Sequence, residues 1–466
     1  MIKDNTYFSS NHEDSTQALC QQSPSSYLRA WSFRKFEKLL LSIVLIELLL
    51  GGNGYITEIG GIRLRVWLYM ICMSCVAFNV FSKRRLEFSP LIIALFFSFL
   101  AVVAFGTVVG TSHGISLETM TGELQGMFYF PMLLFFAIAI KDRADIHLIS
   151  RLIVVCGIIQ ALCYLSLLLT MYSDFISALD VHQFLGKNSE FIFRHHPRQT
   201  MYVGFFYKGF FHLGVATLFL LFQPGKKKMI WALVTIIALA LSLTRGVMLA
   251  AMITSFFGLF LMNNKRYVFV SLIVLFFGAF SQYESFQYEN IFLKEVSGKQ
   301  SIVVSSKSTT TAKSRVSDTL PFAGVSFFDG LNSLLRPTDK IRILDLQAAL
   351  NQSNLSTIFI GNGIGSPIGS RQRVEIIFLE IFCKQGIIGL LFWLSLLVSN
   401  FFLFFKLDPN KKPEALPFLL SSLFVYLASS TNNFLTGSIG MSIVLICIVV
   451  LTVISKKDYG ILYNKI

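Results

Sequence analysis

The chain has 466 residues, of which 54% are hydrophobic and 14% are charged, and its formal net charge is +14. In a soluble domain about a quarter of the residues are charged. This composition therefore excludes an ordinary soluble protein and predicts one that crosses a membrane many times. We attribute the positive charge to membrane topology, and it requires no nucleic acid partner.

Apolar runs of roughly 17–25 residues predict transmembrane helices. We predict an all-α polytopic membrane protein with about 12 transmembrane helices and a long, partly helical periplasmic loop. The runs lie near 39–55, 64–82, 90–109, 126–140, 152–172, 201–222, 229–243, 247–262, 267–282, 385–405, 415–430 and 438–455.

The lysines and arginines of the short connections predict which side of the membrane is cytoplasmic. Five clusters on one side hold 14 of these residues, and the other side holds three, Arg63, Arg65 and Arg245. Both termini fall on the basic side. We therefore predict a multi-pass membrane protein with both termini in the cytoplasm.

The same pattern divides the chain into segments. We predict a cytoplasmic tail at 1–35, nine transmembrane helices within 36–282, a large periplasmic loop at 283–374, three transmembrane helices within 375–455 and a cytoplasmic tail at 456–466. A smaller outward loop spans 173–200.

The large periplasmic loop contains one predicted helix, at residues 339–352. Ile341, Leu344 and Ala348 recur at helical spacing and predict an amphipathic helix with these residues on its apolar face. Pro337 is a suitable first residue for such a helix. A loop of this length is usually functional or disordered.

The end of this loop carries charged residues where the chain returns to the lipid. Arg371, Arg373 and Glu375 lie between the turn Gly361-Asn-Gly363-Ile-Gly365 and an apolar run that opens with Gly386-Ile-Ile-Gly389. Charge at that depth is costly and indicates function. Arginine binds phosphate through a planar donor fork, and a carboxylate can accept a proton from a hydroxyl group. A lipid-linked diphosphate sugar would use both groups.

Four stretches resemble motifs of the O-antigen ligase and O-antigen polymerase superfamily of bacterial envelope glycosyltransferases. They are Thr244-Arg245-Gly246, Arg342 followed by Ala348-Ala-Leu350, Gly361 to Gly365, and Glu375 to Gly389. The resemblance covers roughly residues 200–405. It implies a GT-C-like architecture, a location in the bacterial inner membrane and an inverting transfer from an undecaprenyl-diphosphate-linked oligosaccharide, with no metal or other cofactor. It also implies a chain-length regulator as a protein partner.

Ligase relatives carry a histidine at the position of Glu375, so the glutamate favours a polymerase with Glu375 as the catalytic base. An O-antigen ligase, which would transfer polysaccharide to lipid A-core, is the alternative within the superfamily. A polysaccharide flippase is the alternative from another class, although it would not need a folded outward loop. We predict that the substrate diphosphate is bound by arginines, namely Arg194, Arg198, Arg245, Arg342, Arg371 and Arg373.

Simpler explanations exist for several of these residues. Glu375 could be favoured at a helix N-terminus by the helix dipole, and Arg245 could end a short helix by extending to the interface. Arg371 and Arg373 could form a solvated rim. The adjacent pair His195-His196 suggests a metal site, but no third ligand pattern accompanies it, so we predict no metal.

Overall fold

The computed structural model describes residues 24–52, 58–83, 88–173, 175–176, 181, 191–195, 202–223, 226–242, 244–261, 269–270, 272–280 and 337–456. The first half of the predicted periplasmic loop and Arg198 lie outside these residues. For Arg194 and His195 the backbone is described and the side chains are not.

The apolar runs fold into helices, because a helix satisfies its own backbone hydrogen bonds where water is absent. The N-terminal half contains α1 (Pro24–Leu50), a two-stranded ribbon of β1 (Glu58–Ile59) and β2 (Ile62–Arg63), α2 (Leu64–Lys83), α3 (Pro90–Ser112), α4 (Leu117–Met127), α5 (Met132–Ala139) and α6 (Arg143–Tyr172). An antiparallel ribbon of β3 (Phe191–His195) and β4 (Tyr202–Tyr207) follows.

The remaining elements are all helical. They are α7 (Phe210–Phe222), α8 (Lys226–Leu241), α9 (Arg245–Leu261), α10 (Pro337–Gln352), α11 (Leu355–Ile360), α12 (Ile377–Phe405), α13 (Lys412–Ser429) and α14 (Ser438–Ser455). Residues 272–280 are also helical.

Six stretches of the described chain are long and apolar enough to cross a membrane, namely α2, α3, α4 with α5, α6, α12 and α14. This confirms the predicted class of a helical membrane protein. Helices or helical residues overlap each of the twelve predicted segments within the described ranges. Since α7, α8 and α9 are shorter apolar helices, the number of twelve crossings stays a prediction.

The prediction of a helix from residue 201 is wrong. Residues 202–207 form strand β4, and helix α7 begins only at Phe210. The sequence Tyr-Val-Gly-Phe-Phe-Tyr is rich in residues that favour strands, and β3 supplies the pairing partner. Hydrophobicity alone does not distinguish such a strand from the end of an apolar helix.

The centre of the bundle consists of helices that are buried on every side. All residues of α7 from Phe210 to Phe222 are buried, and α14 is buried along most of its length. Helix α13 packs against α7, α9, α12 and α14. A helix that is apolar all round belongs in the interior of a larger assembly, so the lipid-exposed helices surround this group.

The predicted loop helix is confirmed as α10, which begins at Pro337, but most of its predicted apolar face is exposed. Ile341 and Leu344 are 39% and 61% exposed, whereas Asp345 and Ala349 are 5% and 2% exposed. The helix is turned so that Asp345 points inward, whereas Lys340 is exposed. The ion pairs described below explain this orientation.

Candidate functional site

The glycine turn joins the large loop to two membrane helices through its backbone. Gly363 has a φ of +91°, and a methyl group there would lie 2.2 Å from the backbone nitrogen of Gly110 in α3. The amide of Gly363 donates to the carbonyl of Lys384 in α12 at 3.0 Å, and the amide of Ile364 donates to the carbonyl of Gly106 at 2.9 Å. Only glycine permits this approach, so the turn fixes the loop between α3 and α12.

A second glycine interrupts α12 where the turn packs against it. Gly386 has a φ of +62° and a ψ of −163° inside the helix. A methyl group there would lie 2.3 Å from the carbonyl oxygen of Phe359 in α11. Helix α12 starts at Ile377, well before the segment predicted from residue 385. It changes direction at Gly386, and the missing side chain there leaves room for α11.

A buried lysine connects the turn to α4 and α12. Lys384 Nζ lies 2.5 Å from Glu123 Oε1 and 3.1 Å from Glu380 Oε1, and it donates to the carbonyl of Gln372 at 2.6 Å. The other oxygen of Glu123 accepts from the amide of Gly365 at 2.8 Å. A buried lysine needs such complete pairing.

Sequence reasoning missed this cluster. The lysine and Glu380 are four residues apart on one helix, which is a recognisable pairing signal. Glu123 lies 261 residues away in sequence, and no local pattern reveals that partner. The cluster also sets the path of residues 372–375, since Glu380 Oε2 accepts from the amide of Val374 at 3.2 Å.

Glu375 lies two residues before α12 and pairs with Arg342 of α10. Arg342 Nε and Nη2 lie 3.0 Å and 2.9 Å from Glu375 Oε2. Both contacts use the same oxygen, and Oε1 makes no hydrogen bond to the described residues. The Glu375 side chain is 35% exposed. The pair therefore holds the carboxylate in place while one of its oxygens stays available to a ligand.

Arg371 and Arg373 closely precede Glu375 in the sequence, but the ion pair of Glu375 is with Arg342. Arg371 Nη1 lies 2.7 Å from Asp345 Oδ2 instead. Burial raises the pKa of Asp345, with the Arg371 guanidinium acting in the opposite direction and the nearby Glu375 in the same direction. Arg342 and Arg371 thus each share their charge with a carboxylate.

Arg373 differs from these two arginines. Its side chain is exposed, and Nη2 donates to the carbonyl of Gly122 at 2.8 Å. Glu380 and Glu123 line the same cavity as Arg373.

Arg245 is the first residue of α9, and the start of this helix packs against Thr431. A methyl group on the adjacent Gly246 would lie 1.9 Å from Thr431 Oγ1. The carbonyl of Thr431 in turn accepts from Arg342 Nη2 at 3.2 Å. Thr431 therefore contacts both the start of α9 and the arginine that holds Glu375, and two sequence motifs converge on this residue.

The structure describes less of the two remaining predicted arginines, Arg194 and Arg198. Arg194 belongs to strand β3, and its backbone pairs with Gly204 of β4. Arg198 lies outside the described residues. No group of three or more His, Cys, Asp or Glu side chains within the described ranges could hold a metal ion.

A cavity that Arg373 and Val374 help to line has a volume of about 640 Å³. Its walls come from the start of α2, the second half of α4, the segment after α4 and the connection between α13 and α14. Three arginines line it, Arg63, Arg65 and Arg373. The first two were counted from the sequence only as topology signals.

Comparison with known proteins supports the resemblance seen in the motifs. The chain is 24% identical over 431 residues to a protein named O-antigen polymerase from Shigella flexneri, an alignment that covers 92% of this chain and 97% of the relative. No family model matches the chain. The likeness over nearly the full length of both chains confirms the similarity to the O-antigen polymerase superfamily, which the sequence motifs covered only in part.

Proposed function

We propose, from this full-length likeness, that the protein polymerises O-antigen or a related surface polysaccharide. The enzyme would be a membrane glycosyltransferase of the bacterial inner membrane that works at its periplasmic face. Its substrates would be oligosaccharides linked to undecaprenyl diphosphate. A chain-length regulator is included as a partner only because the resemblance implies one.

The observation that carries the mechanism is the half-exposed carboxylate of Glu375. Arg342 binds Oε2 through two nitrogen atoms, and Oε1 makes no hydrogen bond to the described residues. An oriented carboxylate with one available oxygen suits a general base. Its position just before α12 suits a substrate whose lipid tail lies in the bilayer.

In the proposed reaction, the non-reducing-end hydroxyl of a fresh lipid-linked repeat attacks the anomeric carbon of the growing chain. The hydroxyl proton passes to Oε1 of Glu375. The bond between the anomeric carbon and the diphosphate oxygen breaks, and its electron pair leaves with the diphosphate. The products are the lengthened chain on the acceptor lipid and free undecaprenyl diphosphate. Attack opposite the leaving group inverts the anomeric centre.

Arginine side chains would hold the departing diphosphate, because a guanidinium group binds phosphate oxygens in pairs and stays charged. Of the six predicted residues, Arg194, Arg198, Arg245 and Arg373 remain candidates for this role. Arg342 and Arg371 already pair with carboxylates, so we assign them mainly to positioning Glu375 and α10.

A deletion strain tests the function directly. Loss of the polysaccharide ladder, with single repeats still attached to lipid A-core, is expected for a polymerase. Loss of all attached polysaccharide would instead indicate a ligase or a flippase and would contradict the proposal. Complementation with the wild-type gene should restore the ladder.

Reporter fusions test the proposed orientation. A reporter fused after Lys228 or Lys412 should report the cytoplasm, and one inserted at Ser308 should report the periplasm, as the charge asymmetry predicts. A cytoplasmic signal from the Ser308 insertion would place the candidate site on the wrong side for this substrate.

A further inference from the structure

The 640 Å³ cavity combines features that suit a charged head group with an apolar tail. Its volume lies within the range of about 300–1,000 Å³ that is usual for small-molecule sites. Arg63 and Arg373 line it, and Tyr69 and Tyr129 form an aromatic wall with ring centroids 6.2 Å apart.

The charges around the cavity are arranged in two layers. Arg65 is buried, with Nε 2.8 Å from Glu47 Oε2 and Nη1 2.7 Å from Ser438 Oγ. Glu123 and Glu380 are both paired with Lys384, as described above. Arg65, Glu123 and Glu380 line the cavity, and each is paired with an opposite charge behind it, the two glutamates with the same lysine. Arg63 is half-buried and Arg373 is exposed.

One edge of the cavity is apolar and exposed. Val66 and Met70 of α2 are 40% and 41% exposed, and Phe128, just after α4, is 55% exposed. Both α2 and the stretch of α4 with α5 are long and apolar enough to cross a membrane. The exposed apolar face of α2 continues through Ile71 to Phe78. The cavity therefore opens between two membrane helices, where a lipid tail can lie along α2.

The cavity also adjoins the segment that carries the proposed base. Arg373 and Val374 form part of its wall, and Glu375, which does not line it, is the next residue. Two residues span at most about 7 Å of chain. In a lipid-diphosphate sugar the anomeric carbon is bonded directly to the diphosphate. A diphosphate in this cavity would therefore place the anomeric carbon near the segment that carries Glu375.

We infer that this cavity binds the diphosphate head group of the lipid-linked donor, with Arg63 and Arg373 as its contacts and the exposed face of α2 as the path of its tail. This inference rests on the proposed function and identifies the donor site within it. It adds Arg63, which no sequence motif contains. The carboxylate-paired Arg342 and Arg371 then position the base instead of binding the leaving group.

Binding of undecaprenyl diphosphate to the purified full chain in detergent tests the inference without any reaction taking place. Arg63→Gln and Arg373→Gln should each weaken binding about tenfold or more, since each removes a charge-assisted contact. Arg151→Gln is the matched control, because Arg151 is exposed on α6 and does not line the cavity. Unchanged binding in both cavity variants would overturn the inference.

A third variant adds charge without removing a contact. Gln125 is exposed and lines the cavity, so Gln125→Glu preserves size and should leave folding intact. It should weaken binding by repelling the diphosphate, whereas the same change at the exposed Gln352 of α10 should not. Equal affinity of the Gln125 and Gln352 variants would count against the cavity even if an arginine variant failed to fold.

Two competitors identify the ligand class. Inorganic pyrophosphate should displace undecaprenyl diphosphate only at much higher concentration, because it lacks the tail. Equal potency would overturn the assignment of a lipid. Vesicles of phosphatidylglycerol should compete poorly, and equal potency there would indicate a general anionic-lipid surface and overturn the assignment of a diphosphate. A deletion strain that keeps its ladder would refute the polymerase function. The binding experiments would still decide whether the cavity binds undecaprenyl diphosphate, because they do not depend on polymerisation.

Discussion

Both Nε and Nη2 of Arg342 contact the same oxygen of Glu375, at 3.0 Å and 2.9 Å. Arg342 belongs to a helix of the large loop, and Glu375 lies at the entrance to α12. The ion pair therefore connects the loop to the membrane helix at the proposed catalytic residue. It also leaves Oε1 available on a side chain that is 35% exposed.

Glu375→Gln should reach the membrane at normal abundance and fail to polymerise. The amide keeps the size of the side chain but cannot accept the hydroxyl proton, and general-base assistance contributes about 10²–10⁴-fold to rate. The polysaccharide ladder and an in vitro elongation assay measure this. Glu118→Gln, at an exposed position in α4, is the control. A wild-type ladder from the Glu375 variant would mean that the base lies elsewhere.

Lys384→Met should destabilise the protein strongly. Lys384, Glu123 and Glu380 have side chains 3%, 7% and 10% exposed, and removing the cation leaves two buried carboxylates unpaired. Breaking a buried ion pair in this way costs about 3–5 kcal/mol. Thermal unfolding in detergent should show the loss.

The control for this change is Lys340→Met, at an exposed position of α10. The triple variant with Glu123→Gln and Glu380→Gln should recover part of the stability, because no carboxylate is then left without a partner. A Lys384→Met protein as stable as the Lys340 variant would mean that water or another cation replaces the lysine.

Gly363→Ala should be far more damaging than Gly114→Ala, although both glycines have positive φ angles of 91° and 74°. An alanine methyl group would lie 2.2 Å from the Gly110 nitrogen in the first case and would meet nothing within 4 Å in the second. Gly114→Ala should cost only the backbone strain, about 1–3 kcal/mol. Thermal unfolding and the ladder assay compare the two, and equal losses would show that strain alone matters.

Asp345→Asn should change the pH dependence of stability. Burial raises the pKa of Asp345, so the folded state holds this proton more tightly than the unfolded state does. Its stabilising contribution is complete below the ordinary Asp pKa of about 3.9 and is lost as pH rises through the raised pKa.

The asparagine is uncharged at every pH, so the variant does not lose stability at this position as pH rises. The difference in melting temperature between the variant and the wild type should therefore move in favour of the variant as pH rises from about 4 toward neutrality. A shift in favour of the wild type would mean that the ion pair with Arg371 outweighs the burial of the carboxylate.

Hydrophobicity and local pattern predicted much of this molecule. The apolar runs gave the helical membrane class and most helix positions, because a backbone in lipid has few alternatives to a helix. Helical spacing and Pro337 gave α10. The motifs around Arg245, Arg342 and Glu375 indicated the superfamily that the full-length comparison then supported.

Only the tertiary structure decided which side of α10 is buried, which residue pairs with Glu375 and which residues line the cavity. The burial of Asp345 and the pairing of Arg342 with Glu375 turned the predicted apolar face outward. Lys384 pairs with Glu123, from which it is separated by 261 residues in sequence. Hydrophobicity is a property of each residue and can be read along the chain, whereas an ion pair between distant segments depends on how the helices pack, and only the folded bundle determines that.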